Sequence, residues 1–185
     1  WRDTRGWYVT DWGTLVVSPG SADLLTRDRY RDVQLHLEFR LPYRPAMRGQ
    51  DRGNSGVHLQ SAYEVQILDS FGLEGVYNEC GSLYKIAAPK VNVCSPPLQW
   101  QTFDITYTGP RYTKKGEMKS LGKVTVYHNG VLVHHELELP WRTGGGALHK
   151  NRHPENHPKQ AQSIKLQEHE DYAEFRNIWL VDLEK

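Results

Sequence analysis

The sequence has few cysteines and no excess of charge of either sign. Its 185 residues include two cysteines, Cys80 and Cys94, and carry a formal net charge of +1. Nucleic acid or an anionic membrane as the main partner would require a basic excess, so neither is predicted. Two isolated cysteines also fall short of the four ligands of a structural zinc site. They form a disulfide across a long loop if the protein is exported, or they remain two free thiols.

Long apolar runs and helical patterns are absent as well. No stretch approaches the length of a membrane-spanning helix, so no membrane insertion is predicted. No window shows sustained helical periodicity, and neither a phosphate-binding glycine loop nor the nucleophile elbow of serine hydrolases occurs. Because the chain begins with Trp1 rather than Met, we expect its natural N-terminus and any targeting segment to lie outside this sequence.

What the sequence does contain is a series of short segments in which apolar and polar residues alternate. About ten such segments, in a length that suits one domain spanning residues 1–185, predict an all-β fold of two packed sheets or a barrel. Asn129-Gly130, between two alternating runs, is the strongest short-range hairpin signal. Aromatic residues make up 11% of the chain. They suit a β-rich core, and also a surface on which rings stack against sugars.

One predicted hairpin concentrates polar side chains. A very short connection joins the alternating runs 53–60 and 63–70, which is typical of two antiparallel strands. If their apolar residues face the core, the opposite face carries His58, Gln60, Glu64 and Gln66. Such a face is either a catalytic surface or the ordinary solvent-facing side of a sheet, where Glu64 would simply pair with an arginine.

Residues 64–69, Glu-Val-Gln-Ile-Leu-Asp, resemble the Glu-x-Asp-x-x-Glu strand of laminarinase-type glycoside hydrolases. There the outer carboxylates act as nucleophile and acid/base, and a bulge returns the third residue to the active face. Here the middle residue is Gln66 and the last is the shorter Asp69. A retaining mechanism needs its two carboxyls about 5 Å apart, so this departure counts against an ordinary double displacement.

Three histidines, His149, His153 and His157, recur every fourth residue and suggest a metal site. Pro154 and Pro158 prevent a regular helix there. The spacing therefore gives these histidines no common face, and a metal site is not favoured.

Six segments, in this order, resemble motifs of the 3-keto-disaccharide hydrolase family. They are residues 53–56 (Gly-Asn-Ser-Gly), 63–70 (Tyr-Glu-Val-Gln-Ile-Leu-Asp-Ser), 87–92 (Ala-Ala-Pro-Lys-Val-Asn), 100–104 (Trp-Gln-Thr-Phe-Asp), 124–130 (Val-Thr-Val-Tyr-His-Asn-Gly) and 175–179 (Phe-Arg-Asn-Ile-Trp). The resemblance covers nearly the whole chain. It implies an antiparallel jelly-roll sandwich of the concanavalin A-like lectin and glucanase type. It also implies export from a bacterial cell, to the periplasm or the medium, and a small carbohydrate substrate, a 3-keto sugar or glycoside.

Two features depart from the family's pattern. Lys85 stands where many relatives have a small residue, and residues 166–169, Leu-Gln-Glu-His, vary the family's Leu-Gln-Asp-His segment. Export would also favour the Cys80–Cys94 disulfide.

The implied chemistry suits a single carboxylate beside an amide. A ketone at C3 acidifies the proton at C2, and the enediolate left by its removal can expel the group at C1 before water adds. This route needs a base, an oxyanion-stabilising group and a proton donor. The candidate acids and bases are Glu64, His58 and His169. The candidate orienting or oxyanion-stabilising groups are Gln60, Gln66, Lys90, Gln167 and Arg176.

Alternation along the last strands places Gln167 opposite Leu166, and Arg176 opposite Phe175, so both are expected on the surface that carries Glu64. A divalent cation, bound by histidine and carboxylate, could take the electrophilic role, although the sequence establishes no cofactor. The alternative function is a non-catalytic carbohydrate-binding module on the same fold. A plain interaction domain is the third class.

Overall fold

The computed structural model describes residues 1–143 and 156–184. Its elements there are β-strands and a short 3-10 turn, Gly49–Asp51. The strands are β1 (Trp7–Val9), β2 (Leu15–Val17), β3 (Leu24–Leu25), β4 (Asp32–Arg40), β5 (Ser55–Leu59), β6 (Tyr63–Ile67), β7 (Gln101–Thr108), β8 (Arg111–Tyr112), β9 (Met118–Ser120), β10 (Gly122–His128), β11 (Val131–Leu139), β12 (Lys165–Leu166) and β13 (Glu174–Asp182). The all-β prediction is thus confirmed.

The strands form two main antiparallel sheets. The larger sheet has seven strands in the order β1-β2-β13-β4-β7-β10-β11, and the smaller has four in the order β3-β12-β5-β6. Strands β8 and β9 pair separately as a small ribbon. Among the described residues, no helix is both long and apolar enough to cross a membrane.

One hydrophobic core lies between the two main sheets, as in a β-sandwich. Alternate residues of β4 and β7, such as Phe39 and Phe103, are fully buried and meet buried side chains of β5 and β6. The rings of Tyr63 in the smaller sheet and Tyr107 in the larger are 5.8 Å apart, so the sheets are in direct contact. Full burial of a side chain of this size stabilises the folded state by about 1.5–3 kcal/mol.

The irregular segment after β6 continues the smaller sheet. Leu83 forms an isolated bridge with Val65. The amide N–H of Tyr84 donates to the carbonyl of Glu64 at 3.0 Å. That segment therefore lies along the outer edge of β6, beside the polar face of the hairpin.

Candidate active site

His58 and Glu64 are direct cross-strand neighbours. The β5–β6 register pairs Ser55 with Ile67 through Leu59 with Tyr63, without a shift, and sets His58 opposite Glu64. Val57 and Val65 face the core, so these two side chains share the other face. His58 Nε2 and Glu64 Oε1 are 3.8 Å apart, close enough for both to contact one substrate. The parity prediction for this pair is confirmed by the register.

Both groups are buried and both are electrostatically perturbed. His58 is 3% exposed and Glu64 is 4% exposed. Burial raises the pKa of the Glu64 carboxyl to about 7; the charge of Asp23 adds to the rise, and the charges of Lys165 and Lys85 oppose it. Burial and the charge of Lys165 hold the pKa of the His58 imidazole well below its usual range. An ordinary solvent-facing side of a sheet would show neither the burial nor the shifts.

Gly56 opens space next to the carboxylate. A Cβ at this position would lie 2.7 Å from Glu64 Oε1 and 3.2 Å from Gln167 Oε1, so only glycine fits without a shift. Gln167 is held there because its amide N–H donates to the Gly56 carbonyl at 2.9 Å. We call this group, Gly56 with the side chains of His58, Glu64 and Gln167, the Gly56 recess.

Two polar atoms in the recess have no protein partner among the described residues: His58 Nε2 and Gln167 Oε1. Buried polar atoms without partners are uncommon in folded proteins, and a ligand is one way to satisfy them. A cation would suit these acceptors beside Glu64. Within residues 1–143 and 156–184, however, no three His, Cys, Asp or Glu side chains are placed to share a metal ion.

Lys165 brings a positive charge to this face and was not among the predicted site residues. It pairs with His58 in the β12–β5 register, so it shares the face of His58. Its Nζ lies 2.7 Å from Asp23 Oδ2. The same alternation argument that selected Gln167 would have selected Lys165, two residues earlier.

Gln66 is placed as predicted and also touches the carboxylate. In one orientation of its side-chain amide, the Gln66 nitrogen donates to Glu64 Oε1 and to the Ser55 carbonyl, each at 3.0 Å. In the opposite orientation it donates to Gln50 Oε1 at 2.9 Å. Gln50, in the loop before β5, is a neighbour that strand patterns could not identify.

Gln60 does not lie on this face, contrary to the prediction. Its φ of +48° and that of +50° at Ser61 end the strand alternation at the hairpin turn. The Gln60 side chain instead accepts a hydrogen bond from the hydroxyl of Tyr107 in the other sheet. Its amide nitrogen donates to the Gln160 carbonyl at 3.2 Å.

Arg176 lies on the other sheet and is also a correction. It belongs to β13, where its Nε donates to Glu38 Oε2 at 2.6 Å. Its guanidinium lies 4.0 Å from the centre of the Trp100 ring. The alternation with Phe175 was right, but the exposed face of β13 is the outer face of the seven-stranded sheet, away from Glu64.

Lys90 and His169 are both exposed. The amide of Lys90 donates to the Val133 carbonyl in β11, which places it beside the larger sheet. His169 follows β12 in a turn that Glu168 stabilises by accepting from the Glu170 amide at 2.6 Å. Their part in the site stays a prediction.

Asp69 lies two residues beyond the end of β6. The β6 strand ends at Ile67 without a bulge, and Asp69 Oδ1 instead accepts from the amide of Phe71 at 3.3 Å in the following turn. The likeness to the laminarinase-type strand thus stops at Glu64.

The predicted disulfide is not formed in the structure, where Cys80 and Cys94 are free and buried. The Cys80 thiol hydrogen-bonds to the sulfur of Cys94, which lowers the pKa of Cys94, whereas burial and this hydrogen bond raise the pKa of Cys80. The two thiols are therefore neighbours.

Of the three regularly spaced histidines, His149 and His153 lie outside the described residues. His157 is buried, with Nδ1 2.6 Å from the hydroxyl of Tyr63 and Nε2 3.2 Å from the Pro140 carbonyl. Both ring nitrogens thus have protein partners.

The fold and site define an all-β sandwich protein with a buried carboxyl–imidazole pair on its smaller sheet. The chain belongs to the family of 3-keto-alpha-glucoside-1,2-lyase-like domains, whose profile matches residues 1–181. The family resemblance found in the six sequence motifs is therefore confirmed. A comparison with curated proteins found no match.

Two of the solved structures that are similar to this chain come from one organism. A proposed glycosyl hydrolase from Parabacteroides distasonis ATCC 8503 is 33% identical and aligns over 96% of this chain and 74% of its own, with a TM-score of 0.85. A second proposed glycosyl hydrolase from the same organism is 19% identical and aligns over 98% of this chain and 85% of its own, with a TM-score of 0.67. At 19% identity, the similarity to the second structure shows a shared fold and no more.

Proposed function

We propose that this protein is a carbohydrate-active enzyme that cleaves 3-keto glycosides by elimination between C1 and C2, followed by hydration. The observation that carries the proposal is the buried pair of His58 and Glu64, whose pKa values are shifted in opposite directions. Opposed shifts in adjacent titratable groups are characteristic of acid–base sites. The family and the glycosyl hydrolase relative support the substrate class.

Glu64 is the first choice for the base. Its carboxylate takes the proton from C2, and the C–H electrons pass into the C3 carbonyl as an enediolate. The electrons then return to form a C1–C2 double bond and expel the C1 oxygen, which takes a proton from a donor. Water adds at C1 and a proton returns to C2, so the net result is hydrolysis.

The other groups of this surface have roles that follow from their charge. The neutral imidazole of His58 can accept a proton from a substrate hydroxyl or return one to the leaving oxygen. The ammonium of Lys165 and the amide N–H groups of Gln167 are suited to stabilise the enediolate oxyanion. A divalent cation held by His58, Glu64 and Gln167 would take the same electrophilic role.

The runner-up function is a non-catalytic carbohydrate-binding module. It would use the same fold and surface, but binding requires no perturbed acid–base pair. We also propose that the sandwich is a jelly roll of the concanavalin A-like type and that the protein acts after export, in the periplasm or outside the cell.

Incubation with a 3-keto disaccharide and with its unoxidised parent tests the proposal. We expect cleavage of the keto compound alone, because only the ketone acidifies C2. In deuterium oxide the product should carry deuterium at C2. The deuterium should enter faster during turnover than in a control in which the product itself is incubated with the enzyme. Binding of the keto sugar without turnover would favour the module. Turnover without deuterium at C2 would exclude elimination.

A further inference from the structure

On the side of the sandwich opposite Glu64, the outer surface of the seven-stranded sheet contains a cleft of about 280 Å³. Its walls include two indoles, Trp12 and Trp100, and the charged side chains Arg40, Glu174 and Arg176. We infer that this Trp12 cleft is a second saccharide-binding site for a neutral sugar, separate from the Gly56 recess. The class of ligand rests on the proposed function, whereas the location rests on the geometry below.

The cleft and the recess belong to different sheets. Glu174 and Arg176 flank the fully buried Phe175 in β13, so they point away from the core. The β13–β4 register pairs Glu174 with Arg40, which continues the same outer surface. His58 and Glu64 project from the smaller sheet on the far side of that core. One small sugar cannot contact both places.

The charges of the cleft are already paired. Arg40 Nη2 lies 2.6 Å from Glu174 Oε2, and Arg176 Nε lies 2.6 Å from Glu38 Oε2. Each arginine therefore has its own carboxylate, and the pairs leave no net charge to attract an ionic ligand. What remains is a set of fixed donors and acceptors, which suits the hydroxyl groups of an uncharged sugar.

The two indoles of the cleft differ in exposure. The Arg176 and Arg40 guanidinium carbons lie 4.0 Å and 4.8 Å from the centre of the Trp100 ring, which is partly covered. Trp12 is 93% exposed. Most of the Trp12 ring is therefore open to a ligand in the cleft that it shares with Trp100.

The turn that carries Trp12 is well ordered. The Thr10 amide donates to the Thr14 carbonyl at 2.8 Å, and the Gly13 amide to the Thr10 carbonyl at 2.9 Å. The Thr14 amide also donates to the Thr10 hydroxyl at 3.1 Å. The ring is thus presented on a fixed backbone, which lowers the entropy cost of stacking on a sugar ring.

The test measures the binding of unoxidised maltose and cellobiose to the Glu64→Gln protein. Calorimetry and tryptophan fluorescence report the affinity. We expect Trp12→Ala in that background to weaken binding at least about 10-fold, as for an aromatic anchor. Trp179→Ala is the matched control, because Trp179 is a 42% exposed indole on the same sheet that stacks on His36 outside the cleft. It should leave the affinity unchanged.

Three results would overturn the inference. One is equal affinity of the Trp12→Ala and parent proteins, or an equal loss in Trp179→Ala. Another is no binding of either disaccharide at about 20 mM, well above a millimolar Kd. The third is a dimer in sedimentation that Trp12→Ala dissociates, which would make the turn a contact between copies. Turnover of a 3-keto disaccharide by Trp12→Ala with Glu64 intact is measured separately, so failure of the recess chemistry remains distinguishable.

Discussion

Replacing Glu64 by glutamine should change both turnover and the pH dependence of stability. In the folded protein burial raises the pKa of Glu64 from 4.5 to about 7, so the folded state binds this proton more tightly than the unfolded chain. Its contribution to stability is present below pH 4.5 and is lost as the pH rises through about 7. At about 1.4 kcal/mol per pKa unit, the loss amounts to about 3 kcal/mol by pH 8.5.

The Glu64→Gln protein has no charge to lose and should escape this decline. Urea unfolding at about pH 4.5, 6 and 8.5 should show the variant gaining about 3 kcal/mol on the parent across that range. Turnover of a 3-keto disaccharide should fall at least about 100-fold, as for removal of a general base. The parent's activity should rise with pH near 7, where the carboxylate forms. The residual activity of the variant should show no such rise.

Glu138→Gln provides the control. Glu138 is 61% exposed and pairs with Lys123 at 3.9 Å on an edge of the larger sheet, so its removal should change stability by less than about 0.5 kcal/mol and leave turnover intact. Parallel stability curves for Glu64→Gln and the parent would refute the raised pKa. Near-normal turnover would remove Glu64 from the mechanism and leave His58 as the better candidate.

Three further changes test the surroundings of the carboxylate and the thiol pair. Gly56→Ala places a Cβ 2.7 Å from Glu64 Oε1, so kcat should fall about 100-fold while the melting temperature changes little; normal kcat would show that the recess is not used. Lys165→Met removes a charge that lowers the Glu64 pKa, so the pH–rate profile should move to higher pH, and an unmoved profile would separate Lys165 from the site. Oxidation should join the neighbouring thiols of Cys80 and Cys94, so titration of the denatured, unreduced protein should find two thiols before oxidation and none after it; two thiols in both samples would contradict this prediction.

Alternation in the sequence predicts much of the fold and half of the site. The predicted runs 53–60 and 63–70 reappear as the strands Ser55–Leu59 and Tyr63–Ile67. The hairpin places His58 opposite Glu64 because both strands keep a strict two-residue period up to the turn. Periodicity is reliable here because one face of each strand must be buried.

The misses lie where periodicity ends. Gln60 occupies a turn with positive φ, so alternation no longer fixes the direction of its side chain. Arg176 shows another limit. Its side chain lies on the predicted polar face of its strand, but that strand belongs to the other sheet. Sheet membership depends on pairing between distant strands, and a single strand's pattern carries no information about its partners.

The polarity of the recess bears on the choice between enzyme and binding module. Burial destabilises the charged forms of both groups, so Glu64 carries a folding cost as the pH rises above 4.5, and His58 carries one below its ordinary pKa of 6.5. A sugar-binding surface could use uncharged amides and hydroxyls without that cost. Keeping an unpartnered imidazole nitrogen 3.8 Å from a carboxyl that titrates near pH 7 is instead the arrangement that proton transfer requires. With no second carboxylate aligned on β6, proton removal next to a ketone accounts for this arrangement better than a glycosyl-enzyme intermediate.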